Sequence, residues 1–176
     1  MPPTPPTPHT PPTIDATPIE PRDLPSVYAL IATCYEEFGF TLNLDDECEQ
    51  HLKDPRGYFR AHGGDYWVVR DDAGVVRATC ALYLHSEGTP AVGELKSMYV
   101  DSAWRRRGVG RALTTMVMRE AAARGCRVME LWSDTRFGPA HRMYESLGFV
   151  RIGEREIHDS NNSVEYGFRR GLEDGV

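Results

Sequence analysis

The sequence predicts an α/β (α+β) fold, a mixed and mostly antiparallel sheet of about seven strands flanked by about four helices. Three observations carry that expectation. Short runs rich in β-branched and aromatic residues recur between turn residues. Segments with apolar residues at helical spacing stand among those runs, so helices and strands are interleaved. The 176 residues, 40% of them hydrophobic, suffice for one domain whose core covers both faces of a sheet.

Residues 1–13, MPPTPPTPHTPPT, are proline and threonine with almost nothing apolar, so ordering them would bury too little surface. A solvated, polyproline-like disordered tail is expected, with a ligand for a proline-reading domain as the alternative. A single domain then runs from 14 to 172. Ile14 to Ile19 suits a short strand, and Asp23 can cap a helix whose apolar positions are Leu24, Val27, Leu30, Ile31 and Cys34, ending near Gly39. Asn43 to Lys53 reads as a polar helix stopped by Asp54-Pro55 and Gly57. Tyr66 to Arg70 and Val75 to Leu84 make a hairpin about Asp71-Asp72-Ala73-Gly74.

The run Glu94 to Val100 alternates as a strand, with Leu95, Ser97 and Tyr99 on one face and Glu94, Lys96, Met98 and Val100 on the other. Gly108 and Gly110 break it. Val109, Leu113, Met116, Val117 and Ala121 then form one helical stripe that Gly125 can end. Arg127 to Trp132 is a buried-type strand, Gly138-Pro139 opens a helix to Leu147, and Val150 to Ile157 with Ser163 to Arg169 forms a last hairpin. No internal repeat is evident.

A formal net charge of -6 argues against a general nucleic-acid binder. No run reaches membrane-spanning length and no export signal is visible, so the expectation is a cytoplasmic protein without a membrane partner. Cys34, Cys48, Cys80 and Cys126 lack C-x-x-C spacing and paired histidines, which points to reduced thiols and no metal.

The stretch Glu94 to Ala123 reads as strand, glycine turn, helix. At a helix N-terminus the first N–H groups have no helical partner and the dipole is positive, so main chain alone can bind a phosphate. A P-loop is absent, because no Gly-Lys-Ser/Thr follows four intervening residues, and the dinucleotide fingerprint fails where Leu113 replaces a third small residue. Arg105-x-x-Gly108-x-Gly110 does fit one pattern. It resembles the acyl-CoA pyrophosphate loop of the GNAT superfamily of N-acetyltransferases, and Met98-Tyr99-Val100 precedes it as that family's fourth strand would. Further on, AHRMYESLGF resembles the family's late helix and strand through Ala140, Tyr144, Gly148 and Phe149. Phe137 departs from it, standing where many relatives carry an asparagine that contacts pantetheine, with Ser133 or Asp134 as substitutes.

The resemblance implies an acetyl group moved from acetyl-CoA, a cosubstrate, to a primary amine of a small molecule or peptide, by direct attack in a ternary complex. It implies coenzyme contacts from Met98, Tyr99, Val100, Arg105, Arg106, Arg107, Gly108, Val109, Gly110 and Arg111. The three consecutive arginines also read as a nucleic-acid patch or as solvated charges, but in an acidic chain beside a phosphate loop they suit coenzyme phosphates. Alkyl amines have pKa values of about 8 to 10, so a base is needed near the thioester. Glu94 stands at the interval where several relatives carry a glutamate base; otherwise it is a strand-end glutamate paired with Lys96. Tyr144 matches the family's tyrosine at the coenzyme sulfur; otherwise it is a core tyrosine.

Tyr35, Phe38 and Phe40 border the expected acceptor site and remain unassigned. Arg136, after the fifth strand, suits an acceptor carboxylate held bidentately, against the commoner role of a surface arginine. A homodimer is compatible with this reading. The rivals are a catalytically silent acyl-CoA-binding sensor or docking domain, which would keep the loop without using Glu94 or Tyr144, and an enzyme for another acyl group or an oxygen acceptor.

Overall fold

The computed structural model describes residues 14–85 and 91–172. The tail expected at 1–13 lies outside them. The order is β1 (Ala16–Pro18), α1 (Leu24–Glu36), α2 (Pro55–Ala61), β2 (Asp65–Arg70), β3 (Val76–His85), β4 (Val92–Val100), α3 (Val109–Ala123), β5 (Val128–Asp134), α4 (Gly138–Ser146), β6 (Val150–Glu156) and β7 (Val164–Gly171), with short 3-10 turns at Pro21–Asp23, Glu47–Lys53 and Ser102–Trp104. The strands form one seven-stranded sheet in the order β1-β2-β3-β4-β5-β7-β6. Of the strand pairs, β4 with β5 runs parallel and the others antiparallel. The mixed, mostly antiparallel architecture is as the sequence predicts.

Each sheet face has its own core. On one, Leu82, Leu95, Met129 and Phe168 pack with Val109, Leu113, Val117 and Ala121 of α3 and Tyr144 of α4. On the other, Tyr66, Val68 and Ala81 pack with Val27, Leu30 and Ile31 of α1 and Phe59 of α2. The helical stripes read in the sequence are therefore the buried faces.

Three local readings are corrected. Asp23 does not cap α1 with its side chain; its carboxylate accepts from the Glu20 N–H at 2.7 Å and from Arg70 Nε at 2.8 Å, fixing the preceding 3-10 turn to β2. Asp54-Pro55 starts a helix as well as ending the 3-10 turn Glu47–Lys53, which stands where a longer polar helix was expected. Asp54 Oδ1 accepts from the Gly57 N–H at 3.0 Å, and Pro55 fills the first helical position, where its missing N–H costs nothing. Finally, the alternation along β4 fails at Ser97, whose φ is +50°. The register with β3 shifts between Thr79 and Ala81, opposite Tyr99 and Lys96, so an extra residue bulges from β4. Leu95, Met98 and Val100 therefore join the α3 face, and Tyr99 goes to the α1 face.

Candidate active site

The bulge opens the sheet. β4 pairs with β5 only from Val92–Val128 to Leu95–Leu131. Beyond Leu95 the β5-facing edge of β4 has lost its partner, whereas β5 continues along β7 to Asp134. Lys96, Ser97, Met98 and Tyr99 wall the gap on one side and Trp132, Ser133 and Asp134 on the other, within a cleft of about 970 Å³ of empty volume including its open mouths. Val100 is not in that wall; its carbonyl accepts from Arg105 Nε at 2.8 Å.

The glycine turn lies after this gap, at the start of the 15-residue α3. Gly108 has φ +81°, left-handed backbone that suits glycine, and the first helical bond after it runs from the Ala112 N–H to the Gly108 carbonyl at 2.9 Å. The N–H groups of Val109, Gly110 and Arg111 precede that bond and have no helical acceptor. A Cβ on Gly110 would come within 3.2 Å of Met143 Sδ, so a side chain there would fill the close approach of α3 to α4. Arg106 and Arg107 are exposed, and Arg111 donates to Ser146 Oγ at 2.5 Å. These features fit a bound pyrophosphate. Arg105 has a different position from the one expected: its guanidinium bonds Glu37 (Nη2 to Oε1, 2.8 Å) and Val100, tying the loop to α1 and to the end of β4. Its side chain fixes the loop.

Glu94 is 7% exposed and lines the cleft. Its Oε2 lies 2.8 Å from His85 Nε2 and its Oε1 accepts from Lys96 Nζ at 3.1 Å. Burial works to raise its pKa, but the Lys96 charge and the two hydrogen bonds outweigh burial and hold the carboxyl below its ordinary value. It is ionised at neutral pH. Tyr144 also lines the cleft, from the α3 face; its ring packs on Phe149 and Phe168, and its hydroxyl has no hydrogen-bond partner among the described residues. Burial raises its pKa, so the phenol keeps its proton. The structure thus brings Glu94, Tyr144, Met98 and Tyr99 to one cleft.

Arg136 is not in its wall. One edge of its guanidinium, Nε and Nη2, goes to Asp134 at 2.8 and 3.0 Å, and its face lies 3.6 Å over the Phe40 ring, so that edge of the fork expected to take an acceptor carboxylate is occupied. Phe137 packs edge-on against Phe38 at 4.8 Å and Phe40 at 5.9 Å between ring centroids. Of the substitutes for the missing asparagine, Ser133 lines the cleft with its Oγ 3.1 Å from His141 Nε2, while Asp134 is committed to Arg136.

Glu49 and His51 line the cleft and were not singled out from sequence, and Tyr35, left unassigned there, lines it with them. Tyr35 donates to the buried Glu49 carboxylate, and its oxygen lies 3.1 Å from the Tyr99 hydroxyl. His51 sets Nδ1 2.9 Å from the Cys48 carbonyl and Nε2 3.0 Å from Ser97 Oγ. A ring nitrogen against a carbonyl must carry the proton, so Nε2 accepts from the serine hydroxyl. Burial, with the Lys96 charge, pushes the His51 pKa down to about 4, so the ring is neutral. Only the turn containing Glu49 and His51 was legible, as a polar helix. The β6–β7 loop also reaches this end of the cleft: Asn161 exchanges hydrogen bonds with the Thr41 backbone at 2.9 and 3.0 Å, and Ser160 bonds Asp46 at 2.7 and 2.9 Å.

A sheet parted at a bulged strand, with a phosphate-suited helix start on one side and a carboxylate-lined pocket on the other, defines an acyl-CoA-dependent N-acyltransferase fold. The comparisons agree with that class. The chain belongs to the acetyltransferase (GNAT) family, whose model matches residues 24–149. Among relatives, it is 30% identical over 149 residues to an uncharacterised N-acetyltransferase of Schizosaccharomyces pombe, covering 83% of this chain and 87% of that one. It is 33% identical over 99 residues to the N-acetylaspartate synthetase of Danio rerio, covering 56% of this chain but about a third, 34%, of that protein. A GNAT-family acetyltransferase structure from Staphylococcus aureus superposes with a TM-score of 0.78 at 19% identity, covering 91% of this chain and 99% of that one. A phosphinothricin acetyltransferase of Sinorhizobium meliloti in complex with AcCoA superposes at 0.71 with 18% identity, covering 93% and 91%. Acetyl-CoA is the cosubstrate typical of this family. Among the described residues no cluster of potential metal ligands occurs, and no helix is long and apolar enough to cross a membrane.

Proposed function

We propose that this chain acetylates a primary amine of a small molecule or peptide by direct attack within a ternary complex, with Glu94 taking the amine proton and Tyr144 protonating the leaving sulfur. The observation that supports it most is the placement of Glu94 and Tyr144 on opposite faces of one parted sheet, both reaching the same cleft. Acetyl-CoA supplies an activated acyl group: a C–N bond forms to its carbonyl carbon, the C–S bond breaks, and the electron pair leaves with sulfur. The amine loses one proton and the thiolate gains one.

The chain supplies position and proton transfer. The first N–H groups of α3, with Arg106, Arg107 and Arg111, hold the coenzyme phosphates, and the unpaired edge of β4 from Met98 offers main-chain groups to the arm and the acyl carbonyl. Ionised Glu94 accepts the amine proton directly or through water. The Tyr144 phenol, protonated and without another partner among the described residues, is free to donate.

The test is thiol release from acetyl-CoA over a panel of amines, with the acetylated product weighed by mass spectrometry. Initial rates with both substrates varied should give intersecting lines, the mark of a ternary complex. Parallel lines would replace direct attack by an acyl-enzyme, and coenzyme binding without turnover of any amine would leave a sensor.

A further inference from the structure

Ser97, Arg106 and Asn162 are the non-glycine residues with left-handed φ among the described residues, and of these Ser97, at +50°, stands inside a strand. Such a backbone persists only where its surroundings over-determine it. Two hydrogen bonds do so here. The Thr79 hydroxyl on β3 donates to the Ser97 carbonyl at 2.7 Å, and the Ser97 hydroxyl donates to His51 Nε2 at 3.0 Å. His51 is in turn fixed by its Nδ1–H against the Cys48 carbonyl, 2.9 Å away. The bulge is therefore clamped from the neighbouring strand and from the Glu47–Lys53 turn.

What the clamp holds is the direction of the main chain. Thr79 pairs with Tyr99 and Ala81 with Lys96, so Cys80 faces both Ser97 and Met98. Were Ser97 extended, each following residue would exchange sheet faces, and the peptide groups bordering the gap would turn with them. A main-chain donor misdirected in this way costs turnover more than coenzyme affinity, because it acts on charge that develops in the transition state.

The two partners of Ser97 differ in what they can touch. His51 lines the cleft, but Thr79 is fully buried and outside the wall, so any effect of Thr79 on catalysis passes through another residue. Tyr66 does not share its task. Burial raises the Tyr66 pKa and the neighbouring Thr79 and Ser97 side chains act against the rise, yet the Tyr66 hydroxyl has no hydrogen-bond partner among the described residues. Taking the acetyltransferase reading as given, we infer that Thr79 is a positioning residue of the transfer: its hydroxyl, through the Ser97 carbonyl, sets the direction of the β4 main-chain groups that meet the acyl carbonyl.

Infrared spectra of isotope-labelled acetyl-CoA bound to the full chain without amine test this, because a polarised carbonyl stretches at lower frequency than a free one. Kinetics over the amine panel and calorimetry with acetyl-CoA supply turnover and affinity. Thr79→Val, of the same branched shape without the donor, should lower kcat at least about tenfold while the acetyl-CoA Kd stays within about twofold. Its carbonyl stretch should move back toward that of free acetyl-CoA. Thr79→Ser keeps the hydroxyl and should restore both turnover and stretch. Wild-type turnover in Thr79→Val, a stretch unmoved by it, or a wild-type stretch equal to that of free acetyl-CoA overturns the inference and leaves the acetyltransferase reading intact. So does a loss of turnover that tracks coenzyme affinity or that serine does not repair, since either marks packing and not direction. If Thr79→Val does not fold, Thr79→Ala removes the same hydroxyl and is read in the same way. If the wild type releases thiol with no amine, the acetyltransferase reading falls, and this inference with it.

Discussion

Glu94 sits between two nitrogens, with His85 Nε2 2.8 Å from one carboxylate oxygen and Lys96 Nζ 3.1 Å from the other. The pair of contacts keeps it charged to a lower pH than an ordinary glutamate, despite its burial. Glu94→Gln should lower turnover by about a hundredfold at neutral pH, within the usual range for loss of a general base. Raising the pH should restore part of the loss, because more of the acceptor is already neutral. In the wild type the acid limb due to Glu94 should fall below the ordinary carboxylate range. Stopped-flow or steady-state pH profiles of both proteins check this, and identical profiles would remove Glu94 from the base role.

Tyr144→Phe deletes one hydroxyl and leaves the ring stacked among Phe149 and Phe168. Turnover should fall by about a hundredfold with little change in melting temperature, and higher pH should not rescue it, since the lost group acts on the leaving sulfur. A pH-dependent recovery like that of the Glu94 variant would contradict the assignment.

Gly108→Glu and Gly110→Glu put bulk and negative charge at the start of α3. At Gly108 the left-handed φ adds strain, and at Gly110 the new Cβ meets Met143 at 3.2 Å. Acetyl-CoA affinity by calorimetry should drop at least about tenfold, 1.4 kcal/mol, in each. Circular dichroism on the same samples separates lost binding from lost fold; folded variants that bind as the wild type does would move the phosphate site elsewhere.

Asp23 is 3% exposed and joined to Arg70, so Asp23→Asn leaves a half-buried guanidinium short of its partner. A loss of about 3 kcal/mol at pH 7 is expected, the usual scale for breaking such a pair. Burial acts to raise the Asp23 pKa, but the Arg70 hydrogen bonds and charge prevail and lower it. A carboxylate whose folded pKa is depressed contributes stability above its unfolded pKa of about 4 and loses it as pH falls through the folded value. The stability gap between wild type and variant should therefore shrink in acid. Urea melts at pH 7 and below pH 4 measure it, and a constant gap would exclude the ion pair as its source.

The sheet, the helices and the glycine turn were legible because each depends on local pattern: Val109, Leu113, Val117 and Ala121 have one period, and Gly108 needs a conformation few other residues take. Glu94 and Tyr144 came from motif position and do meet in one cleft. The bulge at Ser97 was not legible, since an inserted residue keeps the same composition and only pairing with Thr79 and Ala81 reveals it. Asp54-Pro55 is ambiguous by nature, because the dipeptide that ends one helix also caps and opens another. Arg136 is engaged in a way the sequence did not show. Its partner Asp134 is two residues away, and sequence cannot say whether a neighbouring carboxylate or a ligand takes a guanidinium.

The hydrogen bonds from Asn161 to Thr41 and from Ser160 to Asp46 link two segments more than a hundred residues apart in sequence across the acceptor end of the cleft. With β4, β5 and the paired Leu95–Leu131 rung, they complete a frame around the gap. That end of the cleft is thus walled by contacts between distant segments, so changes in the β6–β7 loop are expected to alter acceptor choice while leaving the glycine turn at the start of α3 untouched.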